Sequence, residues 1–214
     1  MLIELDPVEA RVLGSLVEKS LTTREQYPLS FNALLNACNQ KTSRDPVMSL
    51  NTETMGAAVK TLIEKGFVER LQAPGERVPK FRHDIYKLLN GTDPKLVGAI
   101  TVLLLRGPQT PGEIKGRTDR LCEFTGTAEV EGLLQDLCAK EDPFVARLPR
   151  QAGQKETRYR QLFTGGAAET SAEPLAAASP AAPVSPDRLA QLEKRVELLE
   201  AFVKAQGEQL PKAG

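Results

Sequence analysis

Apolar positions recur at helical spacing in two separate stretches of the chain, and each stretch runs into the same short β pattern. Val8, Val12, Leu13, Leu16 and Val17 fall on one face of a segment at 7–19, the three-and-four spacing of an amphipathic helix. Leu96, Ile100, Leu103 and Leu104 repeat the pattern, and Gly107-Pro108 closes it. Both helices open on Asp-Pro, at Asp6-Pro7 and Asp93-Pro94. The aspartate accepts from N–H groups that have no partner inside the helix, and the proline is pre-set for the first helical position. Glu9 completes a capping box in the first copy. Second helices are predicted at about 30–40 and 111–122. Third helices follow at about 52–65, with Met55, Val59, Leu62 and Ile63 inward, and at 127–140, with Val130, Leu134, Leu137 and Cys138 inward. Gly66 supplies a left-handed cap to the first of these.

Behind each third helix the period changes to that of a strand. F-V-E-R-L at 67–71 returns as F-V-A-R-L at 144–148, and Lys80-Phe81-Arg82 returns as Arg158-Tyr159-Arg160. Strands are predicted at 67–72 with 80–86, and at 144–149 with 158–163, joined by the hairpin chemistry of Ala73-Pro74-Gly75 and Gln151-Ala152-Gly153. Three helices followed by a hairpin are a winged helix. The expected fold is mainly α with small β-hairpins, as two tandem winged-helix domains at 1–90 and 91–164. Each is expected to enclose its own core, acceptable for ~75–85 residues. The copies are offset by 87 residues at the first helix and by about 75 at the third, so the first holds some twelve extra residues. That surplus is assigned to the polar stretch 36–50, N-A-C-N-Q-K-T-S-R-D-P-V-M-S-L.

Beyond the second copy, 165–186 turns to Ala, Pro, Ser and Glu and reads as a linker with little to bury. Leu189, Leu192, Val196, Leu199 and Val203 then form a heptad seam in a helix at 187–206. The seam predicts a homodimerising coiled coil, or a helix folded back on its own modules.

Composition limits the chemistry. Lys plus Arg and Asp plus Glu both number 28, so no bulk charge draws the chain to nucleic acid or membrane. Cys38, Cys122 and Cys138 are far apart, and His83 is the single histidine. No metal ligand set and no cofactor follow from these, and the thiols read as reduced in a cytoplasmic protein. The start M-L-I-E-L-D has no signal-peptide pattern, and the longest apolar run, near 99–105, falls far short of a membrane span. With no phosphate loop, no G-x-S-x-G and no base beside a cysteine, an enzyme is not expected.

The chain resembles the YceH-like family of bacterial proteins of unassigned function. The likeness is carried by E-A-R-V-L-G-S-L-V-E-K at 9–19, Tyr27-Pro28-Leu29-Ser30 and A-C-N-Q-K-T-S-R-D-P-V at 37–47. In the second copy it is carried by L-L-L-R-G-P-Q-T-P-G-E at 103–113 and A-E-V-E at 128–131. Arg24 stands where the family usually has proline. The resemblance implies a tandem winged-helix fold and supplies no reaction or ligand. It also marks a motif loop with Asn39, Gln40, Lys41 and Arg44, since loops held on a scaffold often carry function. The other reading of this loop is simple packing between the modules.

Two partners fit this pattern. Double-stranded DNA would be contacted through Lys60, Arg77, Lys80 and Arg82 in the first copy and Arg147, Arg150, Lys155, Arg158 and Arg160 in the second. Such residues hold phosphates without reading sequence. This is the expected reading, a dimeric DNA-associated regulator. The alternative is a scaffold for a protein partner, favoured by the third helices. Glu53, Lys60 and Glu64 face outward on the first, while Glu129, Glu131 and Asp136 oppose only Lys140 on the second.

Overall fold

The computed structural model describes residues 3–72, 74–75, 77–150 and 156–165. Lys155, the joining loop at 151–153, all of the expected linker after Gly165 and the heptad residues Leu189, Leu192, Val196, Leu199 and Val203 lie outside the described residues.

Seven helices and two small antiparallel sheets form the described part. The first repeat contains α1 (Pro7–Thr22), a 3-10 turn (Arg24–Gln26), β1 (Leu29–Ser30), α2 (Phe31–Cys38), α3 (Thr52–Glu64), β2 (Val68–Leu71) and β3 (Lys80–His83). A short α4 (Ile85–Leu89) follows. The second repeat is α5 (Pro94–Arg106), α6 (Pro111–Thr118), α7 (Thr127–Cys138), β4 (Val145–Arg147) and β5 (Tyr159–Gln161). The caps are those the sequence implies. Asp6 accepts from the Val8 and Glu9 N–H groups while Glu9 accepts from the Asp6 N–H. Thr110 and Glu113 form a second capping box on α6.

The aromatic of each basic triplet plugs its sheet. Phe81 pairs across to both Leu29 and Arg70, and Tyr159 faces Arg147 on one side and forms an isolated bridge to Gln109 on the other. Both rings are buried. Ile63, expected inward, is 36% exposed, and Ala58 takes its place against the core.

The expectation that each repeat encloses its own interior does not hold. Buried residues from α1 to β5 make one continuous hydrophobic cluster, because α1 packs along α5. Positions 96–105 of α5 are buried on every side, as are 9–17 of α1, the condition of helices inside a core rather than on its surface. Gly14 makes the approach possible: a Cβ there would lie 3.0 Å from Leu105 Cγ and Cδ2, and 3.3 Å from Leu104 Cβ. Two backbone bonds add to the seam. The Leu5 N–H donates to the Phe163 carbonyl (2.6 Å), and the Asp45 N–H donates to the Leu105 carbonyl (2.9 Å).

The surplus of the first repeat also sits differently. The offset between matching helix starts falls from 87 (α1, α5) to 80 (α2, α6) and then to 75 (α3, α7). Seven of the extra residues therefore precede α2, in the longer α1 and the 3-10 turn, and only five belong to the connection between α2 and α3.

Candidate interaction surfaces

The motif loop at 37–47 is anchored from beneath, with 41–42 and 45–47 exposed above. Arg44 is 5% exposed and reaches five acceptors. Its Nε donates to the Ala37 carbonyl (3.1 Å), and Nη1 to the Ser43 carbonyl (2.8 Å) and Glu18 Oε1 (3.1 Å). Its Nη2 donates to Glu18 Oε2 (2.6 Å) and Gln40 Oε1 (3.0 Å). Asn39 closes the loop with a two-way bond to the Leu50 backbone, at 2.9 and 2.7 Å. Beneath it Arg11, 1% exposed, donates to the carbonyls of Cys38 and Pro46. Burial pushes the Arg11 guanidinium below its ordinary value, and nearby Arg44 adds to this. Of the four motif residues only Lys41 is fully exposed. Asn39, Gln40 and Arg44 build a clasp between α1, α2 and the end of α5.

The basic residues divide into two groups. Arg82 is paired with Glu69 across the hairpin at 2.7 Å, Arg158 with Glu113 at 3.1 Å, and Lys60 with Glu64 at 3.8 Å. Arg158 also donates to the Pro108 carbonyl (2.8 Å), so it fastens β5 to the start of α6. Lys80 is half-buried beside Leu71 and Ser30, and Arg160 is half-buried with its Nε enclosed. Arg77, Arg147 and Arg150 are exposed. Arg147 Nη2 and Arg150 Nε both donate to the Thr157 hydroxyl, at 3.3 and 3.2 Å. These two guanidiniums and Thr157 line an open groove of about 530 Å³ together with Leu148 and Pro149.

The third helices present little positive charge. On α7, Ala128, Glu131, Gly132, Gln135, Asp136 and Ala139 just beyond its end are exposed. Glu129 turns aside to meet Lys95 and accepts from Thr125, and these contacts draw its carboxyl down to about 2. On α3, Glu53, Thr54, Ala57, Lys60 and Glu64 are exposed.

Comparison with known proteins places the chain. A family model described as "Protein of unknown function, DUF480" matches residues 5–154. Two curated UPF0502 proteins match along nearly their whole length. That of Aeromonas hydrophila is 44% identical over 217 residues, covering 98% of this chain and 98% of the relative. That of Vibrio parahaemolyticus is 47% identical over 218 residues, covering 98% and 99%. The chain belongs to the DUF480 family. The YceH-like resemblance is thereby borne out as membership of a family of unknown function, and the names of these two relatives carry no enzymatic activity.

The three cysteines and the histidine of this DUF480 chain are buried or half-buried. Burial pushes the Cys38 and Cys122 thiols up to about 11, away from the reactive thiolate. His83 sits between Tyr27 and Tyr86, and its Nδ1 accepts from the Ile85 N–H (3.3 Å). The ring proton is therefore on Nε2, facing the Ser20 hydroxyl at 2.9 Å. Burial holds the imidazole down to about 4. As pH falls the unfolded chain takes up the proton first, so stability present above the unfolded value of about 6.5 is lost between there and 4. Urea unfolding at pH 5 should show about 2 kcal/mol less stability than at pH 7 from this group. His83→Gln should remove that part of the slope; an unchanged slope would contradict the assignment. Among the described residues no group of three or more His, Cys, Asp or Glu could hold a metal, and no helix is long and apolar enough to cross a membrane.

Sequence reasoning missed Arg11 and Glu18 as partners of the motif loop, and Glu69 and Glu113 as neighbours of the hairpin arginines. The contacts of Arg11, Glu18 and Glu113 join residues 26 or more apart in the chain, which spacing does not reveal.

Proposed function

We propose that the protein is a non-enzymatic tandem winged-helix protein that holds a protein partner with a basic surface on the outer face of α7. The element order supports the fold reading. Helix, strand or bridge, two helices and a hairpin occur in that sequence in both repeats, with α3 and α7 as the third helices. A third helix that reads DNA enters the major groove, with cations toward the backbone. The exposed side of α7 carries Glu131 and Asp136 between Ala128, Gly132, Gln135 and Ala139. That face carries the proposal: small side chains admit a close neighbour, and the carboxylates favour a cationic one. Pairing of Arg82 with Glu69 and of Arg158 with Glu113 offsets charge on two residues of the expected DNA footprint. Self-association through the heptad seam at 187–206 belongs to this reading.

Charge reversal separates the two partner classes because the signs are opposite. With Glu131→Lys and Asp136→Lys together, a partner crosslinked through a photoreactive group at position 135 should be lost, with the unfolding midpoint unchanged. If α7 instead enters a major groove, a duplex should protect the amides of α7 in the unaltered chain from hydrogen exchange, and the reading fails.

A further inference from the structure

We propose that Arg147, Arg150 and Thr157 form a site for a phosphate group displayed on the backbone of duplex DNA. The site takes its fold context from the winged-helix reading above and is independent of the α7 partner. Residues three apart on an ideal strand point to opposite faces. Here the ladder extends one bond past β4, from the Leu148 N–H to the Arg158 carbonyl (2.8 Å). Pro149 follows with no N–H to continue it. Leaving the strand there brings Arg150 round to the side of Arg147, and both guanidiniums donate to the same hydroxyl. Thr157 is 8% exposed, so that hydroxyl is a fixed post.

The arrangement is one-sided in charge. Arg82 and Arg158 each have a carboxylate within salt-bridge distance, whereas among the described residues Arg147 and Arg150 have none. Each guanidinium carries five N–H donors, and the hydroxyl engages one from each. The remaining donors of two converging cations suit a tetrahedral oxyanion, which arginine grips through paired bonds. The groove is open along its length, and pockets that retain small molecules enclose most of the ligand. An oxyanion held here is therefore one carried by a polymer that makes its other contacts elsewhere. Under the winged-helix reading β4 and β5 form the wing, and an arginine pair there meets phosphate rather than base edges. Such a contact carries no sequence information, in keeping with the acidic α7.

The test is a salt series of the full chain on a short random-sequence duplex, read by fluorescence anisotropy. Arg147→Ala with Arg150→Ala should weaken binding about tenfold and flatten the log–log salt slope by about 1, the loss of one phosphate contact. Thr157→Val should reproduce part of the loss with the charge unchanged. Glu131→Lys with Asp136→Lys is the parallel control: its effect on the α7 partner bears on the other reading alone. Three results would overturn the proposal. They are no measurable duplex binding, a slope unaltered in the double variant, and protection of the site by inorganic phosphate without any by the duplex, which would make it a small-anion site.

Discussion

Glu18→Gln is expected to lower the stability of the protein by about 3 kcal/mol, more than most single exchanges away from a pure hydrocarbon core. Gln keeps the length of the side chain and one acceptor, so the loss combines the charge with one of the two hydrogen bonds from Arg44. Arg44 has a fully enclosed side chain and would remain buried with carbonyl and amide acceptors only. A buried pair broken on one side costs more than the pair contributes when whole, because the surviving ion cannot return to water. Glu18→Leu with Arg44→Met should accordingly recover much of the loss. Urea unfolding of the three variants checks this. A cost below about 1 kcal/mol for Glu18→Gln would show that the clasp is closed by its other hydrogen bonds and that the ion pair is incidental.

Gly14→Val is expected to have a comparable effect for a different reason. The added atoms would enter the space of Leu104 and Leu105 at the point where α1 and α5 meet. Overfilling a packed seam costs about 1–3 kcal/mol, and a β-branched side chain with one preferred helical rotamer has little means of escape. Gly14→Ala should cost less, since a small shift of the Leu105 side chain absorbs one methyl and alanine has the better helix propensity. Thermal unfolding of both variants gives the ordering. Equal stability of Gly14→Val and the parent chain would mean the two helices are not in contact there. Loss of this seam should also loosen the Asp45–Leu105 backbone bond and so the motif loop.

Much of this architecture was legible in the chain. Asp-Pro starts, the Gly107 stop and the doubled F-V-x-R-L segments located the helices and hairpins to within a few residues. These signals are local, and local signals survive translation into structure when each segment buries one face. The shared interior is harder to foresee because each first helix shows one dominant apolar stripe at helical spacing. The signal lay in the other faces: 96–105 of α5 has no charged position, and α1 carries Ala10 and Gly14 on the sides left unassigned. A helix apolar all round is central, and α5 is one; α1 packs on it through Gly14 while carrying Glu9, Arg11 and Ser15. Short elements escaped as well. Neither α4 nor the two-residue β1 has enough length for a period to show.

The candidate sites were less legible than the fold. Arg44 and Arg147 are the same letter, yet one is enclosed by five acceptors and the other is exposed at the end of a hairpin strand. What distinguishes them is the position of Glu18, 26 residues from Arg44, against the absence of any carboxylate partner for Arg147 among the described residues. Counting charges along a segment treats both as surface cations. Pro149, by contrast, was a usable clue, since a proline just beyond a strand redirects the residues that follow.

Hydrogen exchange of the full chain in graded urea tests the central claim, that the two repeats share one interior and open together. Amides of α1 and α3 in the first repeat, and of α5 and α7 in the second, should converge on one opening free energy and one urea dependence. Opening of α7 and its hairpin at low urea, with α1 and α3 still protected, would show two separate interiors and contradict the account.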